Sequence, residues 1–391
     1  MVLDGDSAMA LKVAARGRVP PFIVMDVMRA ANEREAAGGD VLHLEVGQPG
    51  TPAPDGVLAA AKQALDGHLI GYTDAMGLPG LRRRIARHYQ DWYGCPVDPG
   101  RIMVTTGSSA GFLVAFLAAF DPGDRVALAA PGYPAYRNIL TALGVEPVLL
   151  PAEAEHRFQP TPDLLDRLPR PPDGLIVASP SNPAGTMVGR KEMQALVDYC
   201  GAHGIRLVSD EIYHGICFAQ PGVSALELSD DAIVINSFSK YFSMTGWRLG
   251  WMVLPEDLLR PAECLGQNLF ISAPCLSQIA GEAAFDCGAQ LDGYVAAYAR
   301  NRALLLEELP KARLDRLAPA DGAFYIYADV SSLTNDSEDF CKRMLAEIGV
   351  AATPGIDFDP DRGRRFVRFS FAGREAVMAE AAKRLQGWIK G

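Results

Sequence analysis

Ser237-Phe238-Ser239-Lys240-Tyr241-Phe242-Ser243-Met244-Thr245-Gly246-Trp247-Arg248 lies between two apolar runs, Ala232-Ile233-Val234-Ile235 and Leu249 to Leu254. The runs read as buried strands, and the stretch between them as a loop at a strand end. A lysine just after a buried strand loses hydration, which lowers its pKa and frees its amine as a nucleophile. Arg248, at the eighth position beyond Lys240, offers the fixed cationic fork that phosphate oxygens prefer. One group suits an aldehyde and the other a phosphate. Taken alone, the pair would more often be a lysine and an arginine decorating a strand end.

Outward from that loop, short apolar runs alternate with helical patterns. Strands are expected at Ile102–Thr106, Arg125–Ala130, Leu175–Ser179, Ile205–Asp210, Ile233–Asn236 and Leu249–Leu254. Between two of them Met193, Leu196, Val197 and Cys200 recur at i, i+3, i+4 and i+7, one face of a helix. Such alternation predicts an α/β fold, a mostly parallel sheet with helices on both faces. The proline-rich breaks at Pro131–Pro134 and Pro169–Pro172 read as loops. The C-terminal pattern differs: a helical run over Leu291–Leu309 leads to Ala323-Phe324-Tyr325-Ile326-Tyr327, then to another helix and Phe366-Val367-Arg368-Phe369-Ser370. The expected division is a large domain over 46–288, a smaller α+β domain over 289–391, and an N-terminal segment, 1–45, packed on the small one.

At 391 residues the chain exceeds a single ordinary core. Its net charge of -10, with no offsetting basic cluster, argues against nucleic acid or an anionic membrane as partner. The apolar run Phe112–Phe120 is too short for a membrane span, which takes about 20 residues. The N-terminus lacks the pattern of a secretion signal, so a cytoplasmic protein is expected. The seven cysteines are an odd number, widely spaced, and fit reduced core thiols better than disulfides or a zinc site. No metal site is expected.

Several segments place polar groups where ligands gather. Thr106-Gly107-Ser108-Ser109-Ala110 joins a strand to an apolar helix, whose first N–H groups and dipole can cradle a phosphate, although most such turns are plain caps. Ser209-Asp210-Glu211-Ile212-Tyr213 puts a carboxylate at the C-terminal edge of the sheet, where open α/β folds bind ligands. Ser179-Pro180-Ser181-Asn182-Pro183-Ala184-Gly185-Thr186 would ordinarily be a turn. Pro131-Gly132-Tyr133-Pro134-Ala135-Tyr136 carries two aromatics, of which Tyr136 better fits simple core packing. Gly71-Tyr72-Thr73 reads as a loop. Arg368 interrupts an apolar strand pattern, and arginine is seldom buried without a partner.

In this order the segments, with Glu45-Val46-Gly47-Gln48-Pro49, resemble the class I and II aminotransferases, enzymes of fold-type I that use pyridoxal phosphate. The resemblance runs from about Val41 to Phe371. It implies that Lys240 holds the cofactor's aldehyde and shuttles the proton at the substrate's Cα. It places Gly107, Ser108, Ser109, Ser237, Ser239 and Arg248 among the cofactor-binding residues, with the phosphate held by Ser108, Ser109, Ser237 and Arg248. Tyr133 stacks on the ring, Asp210 pairs with the ring nitrogen, and Asn182 and Tyr213 donate to the phenolate oxygen. Gly47, Asn182 and Arg368 take the substrate carboxylate. Tyr72 reaches the phosphate of a partner subunit, so a homodimer with shared sites is implied.

The implied reaction moves an amino group between an L-amino acid and a 2-oxo acid. The same site residues also serve β-lyases. A transcription regulator carrying such a domain would need a basic winged-helix region of about seventy residues ahead of the fold, and the Glu45 loop comes too early for one. No lysine lies in Ala110–Phe120, and Pro21-Phe22-Ile23-Val24-Met25 is apolar. Neutral or apolar donors are therefore expected over an aspartate-preferring specificity.

Overall fold

A computed structural model describes residues 11–67 and 69–390. Its strands are β1 (Leu42–His43), β2 (Ile102–Thr105), β3 (Arg125–Ala130), β4 (Glu146–Pro151), β5 (Gly174–Ala178), β6 (Arg206–Asp210), β7 (Ile233–Ser237), β8 (Gly250–Val253), β9 (Tyr325–Asp329), β10 (Val350–Ala351), β11 (Thr353–Pro354) and β12 (Phe366–Ser370). Seven of them form one sheet in the order β2-β8-β7-β6-β5-β3-β4. All neighbours in it are parallel except β8, which runs antiparallel to both β2 and β7. The mostly parallel sheet expected from the sequence is therefore present, with strand ends shifted by one residue. β4 was not foreseen. Its Pro147 and Pro151 argue against a strand, yet it lies at the sheet edge, where a missing N–H faces no partner.

Hydrophobic cores pack on both faces of this sheet. One contains Tyr89, Phe238 and Trp251; the other is built from Phe112, Phe116, Ile235 and Met252. The helix Gly107–Ala119 is apolar all round, as a helix must be that is sandwiched between the sheet and the helix Glu256–Leu269. The helix Arg190–His203 buries Met193, Leu196 and Cys200, three of the four positions expected on its inner face.

From the sheet the chain enters the helix Gly288–Glu308 and reaches a three-stranded antiparallel sheet, β11-β12-β9. β1 pairs in parallel with β10, Leu42 opposite Val350, which ties the N-terminal segment to the C-terminal part. In the small sheet Arg368 lies opposite Tyr327 and Ser370 opposite Tyr325. Two consequences of this architecture matter for function. The C-terminal ends of the parallel strands meet at one edge, and Arg368 is carried toward that edge from a different sheet.

Candidate active site

A cavity of about 240 Å³ opens at that edge. Its walls bring together Gly47, Ser108, Ser109, Tyr133, Asn182, Asp210, Tyr213, Ser239, Lys240, Arg248 and Arg368, all candidates from widely separated segments of the sequence.

Lys240 follows β7 and turns its amine into the cavity, where Nζ donates to the backbone oxygen of Gly47 at 2.6 Å. Burial, reinforced by the cations Arg368 and Arg248, lowers its pKa to about 8 against the opposing pull of Asp210. An amine in that range is divided between its neutral and charged forms near neutral pH. Asp210 ends β6 and is buried. Tyr136 Oη donates to its Oδ2, and the backbone N–H of Ile212 donates to its Oδ1 at 3.1 Å. Burial raises the carboxyl to about 6, while both hydrogen bonds and Lys240 restrain the rise. Glu211 faces the other way, its Oε1 accepting from Ser209, Ser224 and the Ala225 N–H.

Arg368 is fully enclosed. One guanidinium nitrogen donates to Asn182 Oδ1 at 2.8 Å; another donates to the Glu45 backbone oxygen and to Thr353 Oγ1. The guanidinium stacks 4.4 Å above the Tyr325 ring and 4.8 Å from that of Phe358. Its Nε is buried without any partner. A buried cation with an unspent donor is suited to an anionic ligand. Tyr213 and Tyr325 share a hydrogen bond between their hydroxyls at 2.6 Å.

Gly107 opens the helix Gly107–Ala119 at φ +73°, and a Cβ on it would come within 2.4 Å of an Arg248 nitrogen. Only glycine lets the arginine lie over the helix N-terminus, beside Ser108 and Ser109. That is a donor set for a phosphate. Ser237 stands behind this cradle. It is buried; its hydroxyl reaches the Leu249 backbone oxygen at 3.2 Å and lies 2.9 Å from Ser239 Oγ. Tyr72 does not line the cavity and is 84% exposed.

Residues 39–385 match the sequence profile described as aminotransferase class I and II. The chain belongs to the class I and II aminotransferases. It is 52% identical to a valine–pyruvate aminotransferase from Mycobacterium tuberculosis, over 97% of this chain and 98% of that one. The crystal structure of an aminotransferase from Mycobacterium tuberculosis superposes with a TM-score of 0.96 at 51% identity, covering 97% of this chain and 100% of the other. A Thermus thermophilus aspartate aminotransferase with maleate, at 29% identity, gives 0.92 over 97% of this chain and 100% of that one. This aminotransferase therefore has fold-type I and depends on pyridoxal phosphate, as the motifs implied.

The structure adds residues to this aminotransferase's site that the sequence left unassigned. Tyr136 is buried, as expected, but its hydroxyl is spent on Asp210 rather than on core packing alone. Tyr325 and Thr353 surround Arg368. For Tyr325 the signal was an aromatic at alternate positions of a strand, which core packing explains equally well. Phe22, Val24 and Met25, read as an apolar entrance, do line the cavity.

Proposed function

We propose that this aminotransferase takes neutral or apolar L-amino acids as donors and passes their amino group to a 2-oxo acid. The observation that carries this reading is the make-up of the cavity lining. Phe22, Val24, Met25, Phe112 and Ile139 form an apolar surface there, and the cations on the lining are Lys240, Arg248 and Arg368. With Lys240 and Arg248 assigned to the cofactor and Arg368 to the α-carboxylate, no cation on that lining remains for a side-chain carboxylate. The valine–pyruvate specificity named for the relative at 52% identity supports the same donor class.

The residues fit pyridoxal phosphate: an arginine laid over a helix N-terminus, a carboxylate held by two hydrogen bonds, and an amine with a lowered pKa. When bound, the cofactor supplies an aldehyde for amines and a ring that accepts the electron pair left at Cα. Ser108, Ser109 and Arg248 would hold the phosphate, Tyr133 would cover the ring, Asp210 would pair with its nitrogen, and Asn182 and Tyr213 would donate to its phenolic oxygen. Arg368, fixed by Asn182 and Glu45, grips the donor's carboxylate and so presents one face of Cα to Lys240. The neutral Lys240 amine takes the proton from Cα and, once charged, returns it elsewhere.

The active unit in this reading is a homodimer. Leu69, Ile70, Leu269 and Ile271 are exposed around Tyr72, and Thr73 N–H donates to Ser272 Oγ at 3.2 Å, which holds the two loops together. An apolar patch of this kind suits a second copy of the chain, into whose site Tyr72 would reach. The division into residues 46–288 and 289–391, with 1–45 joined to the latter, is supported by the two sheets and the β1–β10 pairing. A cytoplasmic setting is supported by seven unpaired cysteines.

A donor panel tests the specificity. Half-reaction spectra with valine, leucine, alanine and aspartate should give kcat/KM values at least about tenfold higher for valine and leucine than for aspartate. Equal or faster conversion of aspartate contradicts the reading.

A further inference from the structure

A second cavity, about 510 Å³, lies between the loops that follow β3 and β4 and the outer end of the small sheet. Sites for small organic ligands typically span roughly 300–1,000 Å³. Tyr327 lines it, is 1% exposed, and its hydroxyl has no hydrogen-bond partner. Burial keeps that hydroxyl well above a tyrosine's ordinary pKa, so it remains a donor. Leaving such a donor unpaired is costly, and native structures rarely tolerate it without a ligand or water.

Three arginines share the cavity and differ in how far they are committed. Arg362 is bound tightly: its Nε donates to Asp359 at 2.9 Å and another nitrogen to the Ala130 backbone oxygen at 2.6 Å. Arg316 reaches Asp329 only at 3.4 Å, and Arg365 reaches Glu153 only at 3.7 Å. Those two guanidinium groups keep donors to spare. The lining also carries the arginines' carboxylate partners Glu153, Asp329 and Asp359, small apolar side chains and a cluster of aromatic rings. Tyr327 and Phe366 stack at 4.7 Å with an interplanar angle of 7°, and Phe158 stands edge-on to both. None of these residues lines the active-site cavity, although Tyr327 lies opposite Arg368 on the neighbouring strand.

We propose that this cavity is a second binding site, for a small aromatic carboxylate held by Arg316, Arg365 and the Tyr327 hydroxyl. Planar guanidinium forks match a carboxylate, and the stacked pair with Phe158 gives a flat apolar body its seat. Inorganic anions would find the cations but not use the aromatic wall. The proposal does not depend on the donor class argued above.

The test titrates the holoenzyme with phenylacetate by calorimetry, with the active site held at saturating amino donor. A saturable site should appear. Tyr327→Phe should weaken it about tenfold, and Arg316→Ser/Arg365→Ser at least as much, through loss of hydrogen bonds to a charged group. Both variants alter residues outside the catalytic machinery and leave the stacked ring in place, so each should fold. Three results would overturn the proposal: no saturable binding, binding indifferent to Tyr327 and the arginine pair, or equal affinity for inorganic phosphate. Binding abolished by donor saturation would assign phenylacetate to the active site and overturn it too.

Discussion

Gly47 and Tyr325 are in contact so close that a methyl group on Gly47 would come within 1.9 Å of the Tyr325 hydroxyl. The two residues meet between the groups that matter most. Gly47 accepts from Lys240, and Tyr325 lies under Arg368 and bonds to Tyr213. Gly47→Ala should therefore push the tyrosine or the loop aside, raising the donor's KM at least about tenfold through misplacement of reacting groups. Tyr325→Phe added to it removes the clashing oxygen and should restore part of the loss. Kinetics of the two variants check this; a double variant worse than the product of the single effects would contradict it.

Burial of Asp210 costs the fold stability. Its carboxyl rises from 3.8 to about 6 on burial, so the native state binds more protons than the unfolded chain between those values. Stability from this group falls as pH rises through that window. In the cofactor-free protein Asp210→Asn should raise Tm at pH 7.5, by up to about 3 kcal/mol of stability, and the gain should vanish toward pH 4. Turnover should fall by orders of magnitude. Calorimetry of the apoprotein decides; a lower Tm across the whole pH range contradicts the account.

His43 behaves oppositely. Its hydrogen bond to the buried Glu45 raises its pKa to about 9, with burial opposing. A raised histidine contributes stability that is complete below its unfolded value of 6.5 and is lost as pH climbs through about 9. His43→Gln should cost roughly 1–2 kcal/mol near pH 6, after allowance for solvent screening, and nothing near pH 10. Because the Glu45 backbone holds Arg368, the donor's KM should rise along with that loss. Thermal melts across pH, paired with KM values, test both; a deficit independent of pH would contradict the charge argument.

Complementation tests the shared site. In a hybrid of Lys240→Ala and Tyr72→Ala chains, one site keeps its own Lys240 and receives Tyr72 from the other chain. Random exchange at equal amounts should restore activity to about a quarter of the wild-type sites, given closed two-fold pairing. Hybrids that form but stay as inactive as the parents contradict the reading.

Much of this site was legible because its chemistry sits at strand ends. Lys240 and Asp210 each end or follow an apolar run, and such runs betray strands and hence the edge where ligands bind, whereas Asn182 sits in what reads as a plain turn and became a candidate only through the resemblance. What the sequence hid depends on contacts between distant segments. Tyr136 looks like core because it is core; only the meeting of its loop with β6 shows that it donates to Asp210. The edge strand β4 was masked by two prolines that an interior strand would not accept. Ser237 and Ser239 alternate in sequence, and only the turn after β7 determines that Ser239 lines the cavity while Ser237 stands behind it.

Every role proposed for this site rests on Lys240 as the amine that carries the cofactor. Borohydride reduction of the holoenzyme, followed by peptide mapping, tests it most directly. A reduced pyridoxyl group is expected on Lys240 and no label in Lys240→Ala, which should still take up cofactor through Ser108, Ser109 and Arg248. Label at any other lysine, or near-normal turnover by Lys240→Ala, would contradict it.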